Sequence, residues 1–465
     1  MGVVHYKLPV NRMICDNYVR LDSKYRIFSD VRQFVVWDNC DNIALGRILR
    51  PMESPKKKKG ELDEEYKLIE LQNIERCGNS LIDVETVAEI GSDKVILQNG
   101  DIIIPKMEPQ KGQFFLNEQH QQFLGSSELI EYKINKDLYN PLFLYYVLVN
   151  PNVLKCLSFL ESGKAHQRVS SDDLLKITIP KVPLPLQKKV VEQIKQIEIL
   201  ISELKASKTP HYDIINEVFE QEFGFDWKEF ERLKKHKIYS INLINSANNC
   251  DCRLGCRFHH PAAKYVMDFM LKHTDKRIKD FCSEPICLGA SISPNQFDEN
   301  GDCYYISMAT IKNYYFESFD AKTVSSGYEK ENVSKKVVKD DIIVTRSGVA
   351  IGKFAIINDV NGIFADFTMR IRLNKELMIP LFAYYFFRSF FCQTMIHSNK
   401  KGLQNQNIFP SQIQEFPIPD FSLDKQQEIV SKIENRINTQ KDIDRQIAEK
   451  RKEISRLIED VIKQG

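Results

Sequence analysis

The sequence predicts an α+β chain: two tandem, pseudo-repeated globular domains separated by long helices that pair as a coiled coil. Three observations carry that expectation. Ordered residue matches recur at a nearly constant separation, short β-rich runs alternate with turn signals inside each copy, and an apolar stripe with 4-3 spacing follows each copy.

The repeat is the strongest of the three. Ile177-Thr178-Ile179-Pro180 and Phe416-Pro417-Ile418-Pro419 end on prolines 239 positions apart. The same separation links Pro141 to Pro380, Gly163 to Gly402, Gln167 to Gln406, Gln187 to Gln426 and Ile194 to Ile433. With small slips, Gly100-Asp101-Ile102-Ile103-Ile104 matches Asp340-Asp341-Ile342-Ile343-Val344. Gly112-Gln113-Phe114 likewise matches Gly352-Lys353-Phe354, and Arg20-Leu21-Asp22 matches Arg253-Leu254-Gly255. An ordered series of this kind marks a tandem duplication.

Within each copy, about 180 residues of mixed structure precede a long helix. Asp341 to Thr345 and Lys353 to Ile357 read as strands, with turn signals at Ser347-Gly348 and Asn361-Gly362. Helical spacing of Leu381, Tyr384, Tyr385 and Arg388 follows Pro380, a residue favoured in a first helical turn. In the first long helix Val190, Ile194, Ile197, Ile201 and Leu204 form the seam. In the second, Ile429, Ile433, Ile443, Ile447, Ile454, Leu457 and Val461 share one frame, with Arg436, Gln440 and Lys450 at its other positions. Such a stripe must be covered, by a partner helix or by the helix's own domain; two similar seams in one chain favour mutual pairing, and the spacing leaves open whether the partner lies in the same chain or a second one. Pro210 interrupts the first helix, and Gly224 ends the segment Ile214 to Phe223. The expected divisions are residues 1–182, 183–223, 224–422 and 423–465.

Composition narrows the function. A chain of 465 residues with 43% hydrophobic and 28% charged content suits two or three soluble globular domains. A net charge of only +2 leaves any phosphate-binding surface to local arrangement, or to a surface shared with a partner. Eleven cysteines without a regular framework fit free thiols in a reducing cytoplasm. Met1 to Val10 lacks a signal-peptide core, and the apolar stretch Pro380 to Ile396 is cut by Arg388 and short for a membrane span.

Two similar domains on paired helices make a caliper suited to two DNA half-sites at fixed spacing. Thirty-odd helical residues span roughly 50 Å, enough for readers about 34–36 Å apart.

Each half resembles a target recognition domain of a type I restriction-modification specificity subunit. The stretches that carry the likeness begin with Arg253-Leu254-Gly255 and Asp341-Ile342-Ile343-Val344-Thr345-Arg346-Ser347-Gly348 with Gly352-Lys353. Gly402 to Gln406 and Ile418-Pro419 before Gln426-Gln427-Glu428-Ile429-Val430 continue it, as does Asn216-Glu217-Val218-Phe219 before Glu222-Phe223-Gly224. The resemblance implies two target recognition domains separated by helices that pair as an antiparallel coiled coil, and a non-catalytic reader of a bipartite double-stranded DNA target. It also implies methyltransferase partner subunits and, through them, a restriction subunit. S-adenosylmethionine, ATP and Mg would then bind those partners, and this chain would hold no cofactor. The first half departs from the pattern with Pro105-Lys106-Met107-Glu108, where lysine lacks arginine's bidentate fork.

Arg346, Lys353, Lys106, Lys400 and Lys401 are the candidate phosphate contacts, and Gln404, Asn405, Gln406 and Asn407 the candidate base readers. Gln167 and Gln406 have an alternative role in fixing the turn after a repeated glycine. Lys56 to Lys59 reads as a solubilising loop. Cys250, Cys252, Cys256, His259 and His260 lack a second ligand pair at zinc-finger distance, so no metal is expected. Asn140-Pro141-Leu142-Phe143 lacks the second proline of an amino-methyltransferase motif and reads as a helix start. No glycine-rich cofactor loop or G-K-[ST] loop is present, and Asp101, Glu131 and Lys133 form only a chance nuclease-like set. The competing classes are a self-contained methyltransferase or nuclease, and a coiled-coil scaffold that does not bind DNA.

Overall fold

The structure is a computed structural model, and it describes residues 23–38, 40–163, 167–242, 244, 255–312, 315–318, 321–402 and 406–464. Arg20-Leu21-Asp22, Arg253-Leu254, Cys250, Cys252, Gln404 and Asn405 lie outside the described residues. Two compact units form: Met1–Ser207 with Asp444–Gly465, and Lys208–Ile443.

The first unit is built around an antiparallel sheet in the order Leu49–Pro51, Leu129–Ile134, Ile102–Pro105, Phe115–Leu116. Ile102, Ile103 and Ile104 are all buried, as a run of β-branched residues without polar alternation requires of a strand covered on both faces. A second sheet contains Tyr66–Ile69 paired parallel to Phe123–Gly125. Helices Pro141–Leu148 and Pro151–Leu160 each start on proline, and Asn140 and Asn150 cap them. The Asn140 side chain accepts from the N–H groups of Leu142 and Phe143, which accounts for the Asn-Pro pair as a helix start.

The second unit repeats this plan. Its main sheet runs Cys287–Leu288, Thr368–Ile371, Ile342–Thr345, Phe354–Ile356, Tyr315–Phe316, Ile311–Lys312. Cys303–Ile306 pairs parallel to Gly362–Phe364, so Gly362 heads a strand and does not close a turn. Helices Pro380–Arg388 and Phe390–Asn399 follow. The registers coincide: Pro105 faces Leu129 and Ile102 faces Tyr132, while Thr345 faces Thr368 and Ile342 faces Ile371.

A buried glutamine explains why the repeat is so exact in places. Gln187 accepts from Asn140 N–H at 2.7 Å and donates to the carbonyls of Leu138 at 3.0 Å and Val182 at 2.7 Å. Gln426 accepts from Ile379 N–H at 2.7 Å and donates to Leu377 at 3.1 Å and Phe421 at 2.8 Å. Each partner in one copy is 239 positions from its counterpart. Both side chains are fully buried, and each fastens the start of a long helix to a helix N-terminus in its domain. The paired glycines serve backbone geometry: Gly112 and Gly352 sit at φ +67° and +83°, Gly163 and Gly402 at +110° and +100°.

The first long helix, Leu184–Ala206, buries Val190, Ile194, Ile197 and Ile201 and leaves Leu204 half-buried. Pro210 caps the next helix, His211–Phe223, which ends at Gly224 in the left-handed region as the sequence indicated. The last helix runs Leu423–Gln464. Its row Ile433, Gln440, Ile447, Ile454, Val461 is buried. The companion row needs correction. Ile443 and Leu457 are only half-buried and Arg436 is turned out to Glu217, whereas Val430, Ile437 and Ile458 are buried. Ile429 is buried as expected, so the companion row shifts a position later only beyond it, and the same shift carries Arg451 onto Glu75.

Within the first unit, Glu75 receives Lys205 from the helix Leu184–Ala206 and Arg451 from the helix Leu423–Gln464. The two helices thus converge on one carboxylate. No single helix among the described residues is long and apolar enough to cross a membrane. The bent pair Pro141–Leu148 and Pro151–Leu160 has the composition, but most of its apolar side chains are buried in the domain core.

Candidate nucleic-acid interface

Arg346 leaves the end of strand Ile342–Thr345, and the backbone on three sides fixes it. Its N–H donates to the Phe367 carbonyl at 3.0 Å, its carbonyl accepts from Ile408 N–H at 2.9 Å, and Nε donates to the Asp366 carbonyl at 3.0 Å. The guanidinium carbon lies 5.8 Å from the Phe409 ring centre, and Lys401 Nζ lies 5.9 Å from the same ring. Two of the sequence-predicted cations are therefore brought together on an aromatic side chain that the sequence reading passed over.

Phe409 is 36% exposed, and Phe367, beside Arg346, is 52% exposed. An exposed aromatic flanked by cations offers a π-face and positive charge to the same ligand, the combination that suits nucleic acid. The signal for Phe409 was local. Ile408 is fully buried, so its extended neighbour must point the other way, and Pro410 then opens a short helix. Phe367 had no such signal, because its exposure follows from the turn closed by Thr368 N–H on the Ala365 carbonyl.

Lys401 and Asn407 exchange backbone hydrogen bonds at 2.8 Å in both directions. Gln404 and Asn405 lie outside the described residues. Gln406 gives its backbone carbonyl to Gly348 N–H at 3.2 Å; Gln167 does the same for Glu108 N–H at 3.0 Å. The backbone of this repeated glutamine therefore fixes the turn. Lys353 is exposed at the end of the turn Gly348–Ala350, held through its own N–H by Ala350 and Thr345.

Lys400 and Lys401 part company. Successive residues in extended chain face opposite sides, and Lys400 lines a separate cavity. Burial pushes its ammonium pKa down, and the charge of Arg257 pushes it further.

The first domain has the same scaffold and different chemistry. Lys106 occupies the place of Arg346: its N–H donates to Glu128 and its carbonyl accepts from Val169, while Nζ reaches the Ser127 carbonyl at 3.2 Å. Glu128 stands where the second domain has Phe367, and Arg168 where it has Asn407. Arg168 and Glu128 form a bidentate pair, both contacts 2.9 Å. Ser162 replaces Lys401 and Ser170 replaces Phe409.

Asp101 and Glu131 are engaged by backbone. Asp101 accepts from Ile134 N–H at 2.9 Å and lies 3.5 Å from Lys133, and Glu131 accepts from Gly100 N–H at 2.9 Å and Ser54 Oγ at 3.1 Å. Among the described residues no three His, Cys, Asp or Glu side chains gather as metal ligands.

Known proteins resemble this chain along most of its length. The model of the type I restriction modification DNA specificity domain matches residues 53–210 and 271–452. The type I restriction enzyme EcoBI specificity subunit of Escherichia coli is 21% identical over 343 residues, which span 70% of this chain and 64% of that protein. A specificity subunit from M. genitalium shares 10% identity with a TM-score of 0.37, covering 91% of this chain and 97% of its own. The HsdS subunit of Thermoanaerobacter tengcongensis shares 12% identity with a TM-score of 0.32, covering 92% and 96%. Two family matches, one to each copy of the repeat, place this chain in the type I restriction modification DNA specificity domain family.

Proposed function

We propose that the chain is the DNA-reading specificity subunit of a type I restriction-modification complex. It recognises a bipartite double-stranded target and positions methyltransferase subunits and, through them, a restriction subunit. The chemistry resides in those partners, which hold S-adenosylmethionine, ATP and Mg, while this chain contributes sequence selection.

One observation carries the reading. The two domains repeat a backbone and register while the residues at the equivalent face differ: Arg346, Phe367, Lys401 and Phe409 in one, Lys106, Glu128, Ser162 and Ser170 in the other. A duplicated enzyme keeps reacting groups and varies their surroundings. A duplicated reader of two dissimilar half-sites keeps the frame and varies the contacting side chains. Glu128 suits acceptance from a cytosine amino group, and arginine suits guanine.

Co-expression with a cognate type I methyltransferase subunit, followed by methylation mapping of the host genome, tests the proposal. Adenine methylation at one split motif, lost when this chain is omitted, is the expected result. Assembly without any new methylated motif would overturn it.

A further inference from the structure

We infer that the second domain carries a phosphate-binding pocket distinct from the Arg346–Phe409 face. The cavity, about 560 Å³ and open to solvent, is walled by Phe230, Phe390 and Ile351 and carries Arg257, Lys234 and Lys400. Among the described residues its lining contains no carboxylate.

Charge balance carries the inference. Lys234 has Glu231 at 3.3 Å on the same helix, but among the described residues neither Arg257 nor Lys400 meets a carboxylate. Lys400 is half-buried and close enough to Arg257 for that charge to disfavour its own. Two like charges converging on a partly apolar cavity destabilise the empty protein, and an anion between them reverses the sign of that interaction. Thr394 lines the same wall, and its hydroxyl can donate to a tetrahedral oxyanion held by the two cations. The volume and aromatic walls admit a phosphomonoester with an organic group as well as inorganic phosphate.

The pocket also adjoins the recognition turn. Ile351 belongs to its wall, and Gln393 Nε2 donates to the Gly352 carbonyl at 2.9 Å. Lys400 precedes Lys401 directly, so an occupied pocket stiffens both ends of the Arg346–Lys401 face.

The test uses the full chain with inorganic phosphate and then adenosine monophosphate, followed by titration calorimetry. Saturable binding is expected, weakened about tenfold or more by Arg257→Gln and by Lys400→Gln, with the melting temperature of each variant unchanged or raised. Non-saturable heats, or equal binding by both variants, would overturn the inference. A competing short duplex separates the sources: displacement of phosphate identifies a DNA backbone phosphate as the occupant, and simultaneous binding identifies a free phosphorylated ligand. Neither arm depends on methylation, so the specificity role can fail without the pocket failing.

Discussion

Replacing Gln426 by leucine should unfold the second domain far more readily than any surface change. The side chain satisfies three buried backbone groups: the Ile379 N–H and the Leu377 and Phe421 carbonyls. Leucine fills a similar volume and satisfies none of them. Each buried group left without a partner costs about 1–3 kcal/mol, and partial hydration of the helix end trims the sum, so a loss of about 3–6 kcal/mol is expected. With a urea slope of about 2 kcal/mol per molar, the midpoint falls by roughly 1.5–3 M. The chain supplies its own probes, since its two tryptophans are Trp37 in the first unit and Trp227 in the second. Trp227 packs 4.6 Å from Phe390 and 5.1 Å from Phe225, so its emission reports that core. A Trp37→Phe background isolates it, and Gln187→Leu in a Trp227→Phe background provides the mirror experiment. A shift in the Trp227 midpoint below about 0.5 M would refute the reasoning, because the three groups would then have other partners.

Other predictions concern the helices and the DNA face. Burial pushes the Glu75 carboxyl up, but Lys205, Ser80 and Arg451 together outweigh it and hold the group below its ordinary value of 4.5. Its contribution is therefore present above the unfolded pKa and lost as pH falls through the folded one. Glu75→Gln should cost about 1–3 kcal/mol at pH 7 and almost nothing in acid, as read from urea midpoints across pH. In the assembled complex, Lys401→Gln should lower DNA affinity and reduce the salt slope by about 1, while Phe409→Ala should weaken binding with the slope intact; fluorescence anisotropy at several salt concentrations separates the two. Lengthening the helix Leu184–Ala206 by about one turn should change the spacer between half-sites and leave the half-sites alone, which methylation mapping reads directly. Altered half-sites with an unchanged spacer would count against that role for the helix.

Most of the fold was legible because the groups that set it are buried and repeat. Pro141 and Pro380 open equivalent helices, and Gly163 and Gly402 hold the same left-handed turn. Gln187 and Gln426 were visible as a matched pair, although their partners were not, since these come from segments nearly 50 residues away. The last helix was harder. Its sequence supports two neighbouring frames that share the row Ile433 to Val461, and only packing chooses Val430, Ile437 and Ile458 over Ile443 and Leu457. The face was half-legible. A charged residue announces itself in sequence, but whether Phe409 faces water depends on the strand pairing around it. Lys400 and Lys401 looked like one unit until extended backbone sent them to opposite sides.

What duplication preserved, and what it released, follows the cost of change. Positions whose partners are backbone groups could not drift in one copy without stranding a buried donor or acceptor, and Gln187 and Gln426 kept every hydrogen bond. Positions with at least one side-chain partner could drift as sets, even in the interior, when that partner changed with them. Glu131 and Arg370 occupy the same place in the two central sheets with opposite charge, and each is buried and paired: Glu131 with Gly100 and Ser54, Arg370 with Glu284 and the Lys336 carbonyl, its Nε alone left without a partner among the described residues. If a buried charge can be exchanged once its partners change with it, an exposed residue meets still less resistance. Lys106 and Arg346, or Glu128 and Phe367, are then free to follow whichever base pairs each domain faces, while the frame that aims them stays the same.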